Sequence, residues 1–175
     1  VNIDRVAKGA GTTRAAIYRR AKTRGELVVA LLVSRFGIDP APDSGDLRED
    51  LRLIQELQRH FFTDPMVQAA LAGVLSDLRE DSELGEAFYK RFMEPRRRSV
   101  AAMLTRASER GEIAPPPRPG IISDLLTGPL LLHVALPPIG PIDDALVNAT
   151  IEAALTACGA VEHAAEPSPG RTSQR

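Results

Sequence analysis

Apolar residues recur every three or four positions along most of this chain, and this spacing predicts helices throughout. Asn2 to Lys8 places Ile3, Val6 and Ala7 on one face, and the small-residue turn Gly9-Ala10-Gly11 follows. A second short helix opens at Thr12 or Thr13 and runs to about Ala21. Thr23 stands three residues before Glu26, the spacing of a capping box, so a third helix should run to about Phe36. The stretch 37–45, rich in Pro, Asp and Gly, then breaks the pattern.

Beyond the break, Asp46 to Phe62 carries Leu47, Leu51, Ile54, Leu57, Gln58 and Phe61 at helical spacing. Asp64-Pro65 caps and opens a helix to about Arg79. Asp81 or Ser82 starts another, which Gly111 ends; Pro95 inside it predicts a kink or break. Two very apolar helices, Gly120 to Leu136 and Ile142 to Cys158, follow, joined by a turn at Pro137–Pro141. No strand alternation appears. The fold class expected is all-α: a head at 1–37, a linker at 38–45, a helical body at 46–158 and a disordered tail at 159–175.

Composition agrees with helix-on-helix packing. Aromatics are only 4% and Trp is absent, so the core must be largely aliphatic. The single Cys158 excludes an intrachain disulfide. No apolar run reaches the ~20 residues that span a bilayer. No basic leader with a cleavage site is visible, so a cytoplasmic setting without membrane attachment is expected. The three His and one Cys show no metal-ligand spacing and nothing resembles a nucleophile elbow, so neither an enzyme nor a metal or cofactor site is expected.

Charge divides the chain more sharply. Net charge is −1, yet residues 1–35 hold eight basic and two acidic residues, a net of +6, and the remainder carries −7. A basic head on an acidic body fits a nucleic-acid-binding head. Its two short helices around a small-residue turn have the layout of a helix-turn-helix, whose second helix enters the major groove. Ile17 points back with Val6 and Ala10, leaving Arg14, Ala15, Tyr18 and Arg19 on the opposite face. Arg14 can bond bidentately to guanine, and Ala15 can touch a thymine methyl. Tyr18 and Thr13 can donate to phosphates, and Arg24 lies near a helix N-terminus that favours an anion. The same residues could instead form a solvated basic helix pair.

Val6-Ala7, Ala10-Gly11, Thr12-Thr13, Ile17-Tyr18 and Arg24-Gly25-Glu26-Leu27 together resemble the DNA-binding domain of the TetR family of bacterial transcription regulators. In the body, Glu94-Pro95-Arg96-Arg97, Arg110-Gly111-Glu112-Ile113 and Leu125-Leu126-Thr127-Gly128-Pro129-Leu130 resemble the C-terminal domain of one TetR subgroup. The resemblance covers about residues 2–157. It implies DNA contacts by Thr12, Thr13, Arg14, Ala15, Tyr18, Arg19 and Arg24. The family's helix before Ile3 is not seen, and Ala21 stands where an aromatic is usual. A shortened, weakly stabilised head is therefore the expectation.

The resemblance further implies a ligand pocket within 46–118 and a dimer interface within 120–158. Phe61, Phe88, Tyr89, Phe92 and Met103 are the candidate pocket walls, although a Phe/Met stripe at this spacing also suits a plain core. His60 and His133 are possible polar contacts, and Arg96-Arg97-Arg98 reads as a solvated turn. Leu125, Gly128, Leu132, Leu146 and Ile151 are the candidate interface; the alternative buries both helices within one chain. The function implied is a homodimeric regulator of a palindromic double-stranded DNA operator, a repressor released by a small-molecule effector. The alternative is a helical dimer whose head does not bind DNA, acting as a small-molecule-binding or structural protein.

Overall fold

In a computed structural model, residues 24–36, 41–114 and 118–159 are described, apart from the side chains of Arg24 and Val28. Seven α-helices are found among them: α1 (Arg24–Phe36), α2 (Leu47–Thr63), α3 (Pro65–Glu80), α4 (Ser82–Phe88), α5 (Glu94–Glu109), α6 (Pro119–Ala135) and α7 (Asp144–Cys158). A π-helical turn at Tyr89–Met93 joins α4 to α5, and a 3₁₀ turn at Pro137–Ile139 follows α6. No strand occurs among the described residues, so the fold is all-α.

The helix starts follow local chemistry. Asp46 caps α2 by accepting from Glu49 N, Asp64 caps α3 by accepting from Met66 N and Val67 N, and Asp143 caps α7 by accepting from Leu146 N. Each carboxylate satisfies amides that a first turn leaves without partners. Gly159 closes α7 in the left-handed region at φ +61°, donating to carbonyls of the last turn.

Pro95 does not break the chain. The backbone stays helical from Ser82 to Glu109, and the irregularity takes the form of the π turn just before the proline. There Glu94 N reaches back to Tyr89 O, a wider loop that accommodates a ring lacking an N–H. Pro129 lies inside α6, which continues to Ala135.

Two apolar cores form. The larger joins α2, α5, α6 and α7 through residues such as Leu51, Met103, Leu104, Ile122, Leu126, Ile151 and Ala154. The smaller joins α1, α3 and the π turn through Leu32, Val67, Ala70, Val74 and Phe92, with Phe36, Phe61 and Phe88 packed on it. Helix α1 follows directly on the basic head segment, yet its apolar face belongs to this second core.

The segment before α2 is clamped rather than loose. Ser44 donates from N and Oγ to the buried Asp50 carboxylate, at 2.8 and 2.7 Å. Arg106 of α5 pairs with Asp43 at 3.1 Å and donates to the Pro42 carbonyl. Leu47 N donates to Glu112 at 2.6 Å, tying the start of α2 to the loop after α5.

Candidate functional site: an aromatic cavity beneath the first helix

Inside the smaller core lies a cavity of about 460 Å³. Its walls come from six parts of the fold, one of them α5, which supplies Arg96, Arg97 and Val100. Leu32, Arg35 and Phe36 descend from α1, and Leu57, Gln58, His60 and Phe61 from α2. Val67, Leu71 and Val74 line it from α3, Phe88 and Phe92 from the α4–π segment, and Ser123, Thr127 and Leu131 from α6. This size falls in the usual range for small-molecule sites, roughly 300–1,000 Å³. Leu57 and Leu75, both lining residues, are also exposed, and so mark where the cavity opens to solvent.

Helical spacing creates the aromatic wall. Phe88 and Phe92 are one turn apart and their rings stack at 5.2 Å between centroids. Phe61 packs edge-on to Phe36 at 4.8 Å and lies 5.4 Å from Phe92, so one cluster joins α1, α2 and the π turn. Arg96 caps this cluster from α5, with its guanidinium 3.7 Å from the Phe92 centroid. It also donates to the Phe92 carbonyl at 2.8 Å and the Phe36 carbonyl at 3.2 Å.

Polar groups at the wall divide into engaged and unpartnered. Arg35 pairs with Asp64 at 2.7 Å. Burial pushes the Asp64 carboxyl up, but hydrogen bonds from Met66 N, Arg35 and Val67 N outweigh it and hold the group below its ordinary value. Arg97 pairs with Asp124 at 2.6 Å, and that hydrogen bond keeps its guanidinium firmly protonated. By contrast, Gln58 Oε1 and Ser123 Oγ are buried with no hydrogen-bond partner. Buried polar atoms are normally satisfied; these two oxygens are also closed off from open space, so they lie behind the cavity's surface rather than on it.

Of the candidate pocket residues, Phe61, Phe88 and Phe92 line the cavity. Tyr89 and Met103 do not, and these two expectations are corrected. Tyr89 is 48% exposed, because the π turn rotates it outward. Met103 is fully buried in the larger core, since it lies nearly two turns beyond Arg96 and faces α2 and α6. His60 lines the cavity, whereas His133 Nδ1 sits 3.0 Å from the Gly140 carbonyl, away from it. Arg96, Arg97 and Arg98 are not a solvated turn: they lie in the first turns of α5, and Arg98 pairs with Glu94. Gln58 and Ser123 were not among the pocket residues expected from sequence. Gln58 was legible in principle, being one turn from Ile54 and Phe61, but Ser123 sits in a helix that the pattern assigned wholly to dimerisation.

Among the candidate interface residues, Ile151 is 3% exposed within the chain's own core, so it cannot meet a partner. The period of α7 turns it toward α6 and α2. Leu132 is 49% exposed, Gly128 has open space beside it, and Leu125 and Leu146 are half-buried. The candidate DNA contacts Thr12, Thr13, Arg14, Ala15, Tyr18 and Arg19, the side chain of Arg24, and the tail after Gly159 lie outside the described residues. No helix of the described residues is long and apolar enough to cross a membrane, and none of their His, Cys, Asp and Glu side chains cluster as metal ligands do.

Known proteins are similar to this chain. HTH-type transcriptional regulators of Mycobacterium bovis and Mycobacterium tuberculosis are each 28% identical over 165 residues, covering 89% of this chain and 78% of theirs. The crystal structure of a TetR family transcription regulator superposes with a TM-score of 0.70 at 26% identity, covering 89% of this chain and 86% of the other. The family described as "Tetracyclin repressor-like, C-terminal domain" matches residues 41–154, the span that holds most of both cores and of the cavity wall. With its helical body, its aromatic cavity and that match over most of its length, the chain belongs to the TetR family of transcription regulators.

Proposed function

We propose that this chain is a homodimeric DNA-binding repressor whose hold on a palindromic operator is released by a small molecule in the aromatic cavity. The observation that carries this reading is the position of α1. It continues the basic segment that contains Thr12, Thr13, Arg14, Ala15, Tyr18, Arg19 and Arg24, and it contributes Leu32, Arg35 and Phe36 to the cavity wall. A ligand that favours one placement of α1 therefore biases the placement of the head. Two heads on one dimer must match two half-sites about one DNA turn apart, so a small tilt of each lowers affinity.

The dimer reading rests on α6. Ile121, Leu125, Gly128 and Leu132 follow one another by four, three and four residues and share one face. Ile121 and Leu132 on that face are about half exposed, although Ile122, Leu126 and Leu130 of the same helix are buried in the core. Pairing two such faces would cover apolar surface that a monomer leaves in water.

Selection of bound sequences from a random duplex pool tests the reading. Recovery of a palindrome is expected, with an affinity that falls steeply as salt rises because phosphate contacts release counterions. Absence of any enriched sequence would overturn it in favour of a helical dimer that does not read DNA.

A further inference from the structure

We propose that the aromatic cavity is incomplete in a single subunit, and that its seam between α3 and α6 is closed by a second copy of this chain. This rests on the reading of α6 as the dimer face and of the cavity as the effector site, and it joins the two.

The seam is a thin part of the wall. Leu71 and Leu75 line the cavity from α3, and Thr127 and Leu131 line it from α6. None of these four is buried, whereas Val74 and Ser123, which line it from the same two helices, are. Apolar side chains therefore reach from the cavity to solvent along both lips. A ligand held at the seam would keep part of its own apolar surface in water, and that part would add nothing to binding.

Helical geometry sets this seam beside the exposed stripe of α6. Leu131 follows Gly128 by three residues and Thr127 by four, so all three are neighbours on the helix surface. A Cβ at Gly128 would find nothing within 4 Å. Packed helices lie about 8–10 Å apart according to the side chains at their contact, so a helix seated on Gly128 approaches closely. Its side chains then overhang Leu131 and the seam.

The occupant is a second copy because the stripe is matched to itself. Leu125 and Leu132 stand three residues before Gly128 and four after it; Ile121 and Leu136 stand seven before and eight after. A two-fold axis through the two glycines sets Leu125 of each copy against Leu132 of the other, and Ile121 against Leu136. Ile121, Leu132 and Leu136 are about half exposed, and none of the five positions carries a charge. Self-pairing thus covers apolar surface without opposing like charges. Asp124, the single carboxylate of α6, is engaged by Arg97 at 2.6 Å.

Closure from the other subunit links two equilibria. A ligand that gains contacts from the partner strengthens the dimer by the same factor by which the dimer strengthens ligand binding.

Alkylation by iodoacetamide of a cysteine placed at the seam tests this on the full chain, with sedimentation velocity giving the oligomeric state. Cys158 is buried, so the unsubstituted chain sets the background rate. Thr127→Cys is expected to react roughly tenfold slower in the dimer than in the same variant made monomeric by Leu132→Glu, or by Ile121→Glu where the first does not fold. Thr105→Cys, at an exposed position of α5, should react equally in both. Equal rates for Thr127→Cys, in a dimer that the glutamate dissociates, would overturn the proposal and leave the dimer reading intact. A change of the same size for both cysteines would reflect general loosening of the subunit and would also overturn it. A chain that sediments as a monomer, or a dimer that neither glutamate dissociates, would overturn the proposal together with the reading of α6 as the dimer face.

Discussion

The central carbon of the Arg96 guanidinium sits over the Phe92 ring, 3.7 Å from its centroid, and the same group donates to the Phe36 carbonyl in the last turn of α1. One side chain thus connects the floor of the cavity to the helix that follows the basic head. Arg96→Ala should destabilise the fold by about 2 kcal/mol, through loss of the ring contact and two carbonyl bonds. Arg96→Lys should restore less than half of this, since an ammonium cannot stack and fork together. Urea unfolding of the three proteins measures both effects; full recovery by lysine would reduce the role of Arg96 to charge alone.

Asp64 serves two helices, capping α3 while receiving Arg35 from α1 at 2.7 Å. Asp64→Ala should cost about 1 to 2 kcal/mol, and Asp64→Asn less, because the amide oxygen still caps. The folded carboxyl titrates below its ordinary value. Its stabilisation is therefore fully present above the unfolded aspartate pKa of about 3.9 and disappears as pH falls through the lower, folded value. The stability gap between wild type and Asp64→Asn should accordingly be constant from neutral pH down to mild acid and narrow only below that. A gap that widened toward acid would contradict the assignment.

The helices were legible because each is a local matter: Asp64 and Asp81 mark their starts, while the caps at Asp46 and Asp143 lie at or just inside the edges of the helices expected from spacing. The cavity was half legible. Phe61, Phe88 and Phe92 are spaced to share a face, but spacing alone cannot separate a cavity wall from a filled core, and Met103 follows the same rhythm into the other core. What decides between them is which helix stands opposite, and that is a property of the assembled bundle. The π turn illustrates the point. It re-phases the chain between Phe88 and Val100, so Tyr89 swings outward while Phe92 stays 4% exposed. Pro95 signalled an irregularity there without specifying its form. Ile151 was misjudged for a related reason: α7 is apolar on more than one side, and only its packing against α2 and α6 shows which side is internal.

Gln55 is a fully buried amide that donates to the Leu126 carbonyl at 3.2 Å and to the Thr150 hydroxyl, while its own oxygen has no partner. Thr150 retains its bond to the Val147 carbonyl without it. Gln55→Met should therefore lie within about 1 kcal/mol of wild type, because it removes an unsatisfied oxygen and keeps the volume. Gln55→Ala leaves a hole between three helices and should cost about 2 to 3 kcal/mol. Equal losses in the two variants would mean that hydrogen bonding, not packing, dominates at this site.

Leu132 is the most direct probe of the proposed dimer, being half exposed and outside both cores. Leu132→Glu should leave the melting temperature of the isolated subunit little changed and place like charges opposite each other across the two-fold axis. Analytical ultracentrifugation should show a shift toward monomer, and affinity for a palindromic duplex should fall more than affinity for a single half-site. An unchanged sedimentation coefficient would move the interface elsewhere.

Gly25 and Leu84 set how closely α1 approaches α4. A Cβ added at Gly25 would sit 2.3 Å from Leu84 Cδ2, far inside contact distance, and Leu84 is 4% exposed, so it has little room to withdraw. Gly25→Ala gains helix propensity, but overpacking should exceed that gain and leave a net loss of about 1 kcal/mol. Leu84→Ala alone should cost about 2 to 3 kcal/mol through the space it vacates. In the double variant the new methyl occupies part of that space, so the combined loss should fall short of the sum by about 1 kcal/mol. Strict additivity would mean that the two residues do not touch. The coupling matters beyond stability, because α1 is the helix that joins the head to the cavity. A substitution that changes its seating on α4 should also change how strongly ligand binding alters DNA affinity, and Gly25→Ala separates that effect from any contact with the ligand itself.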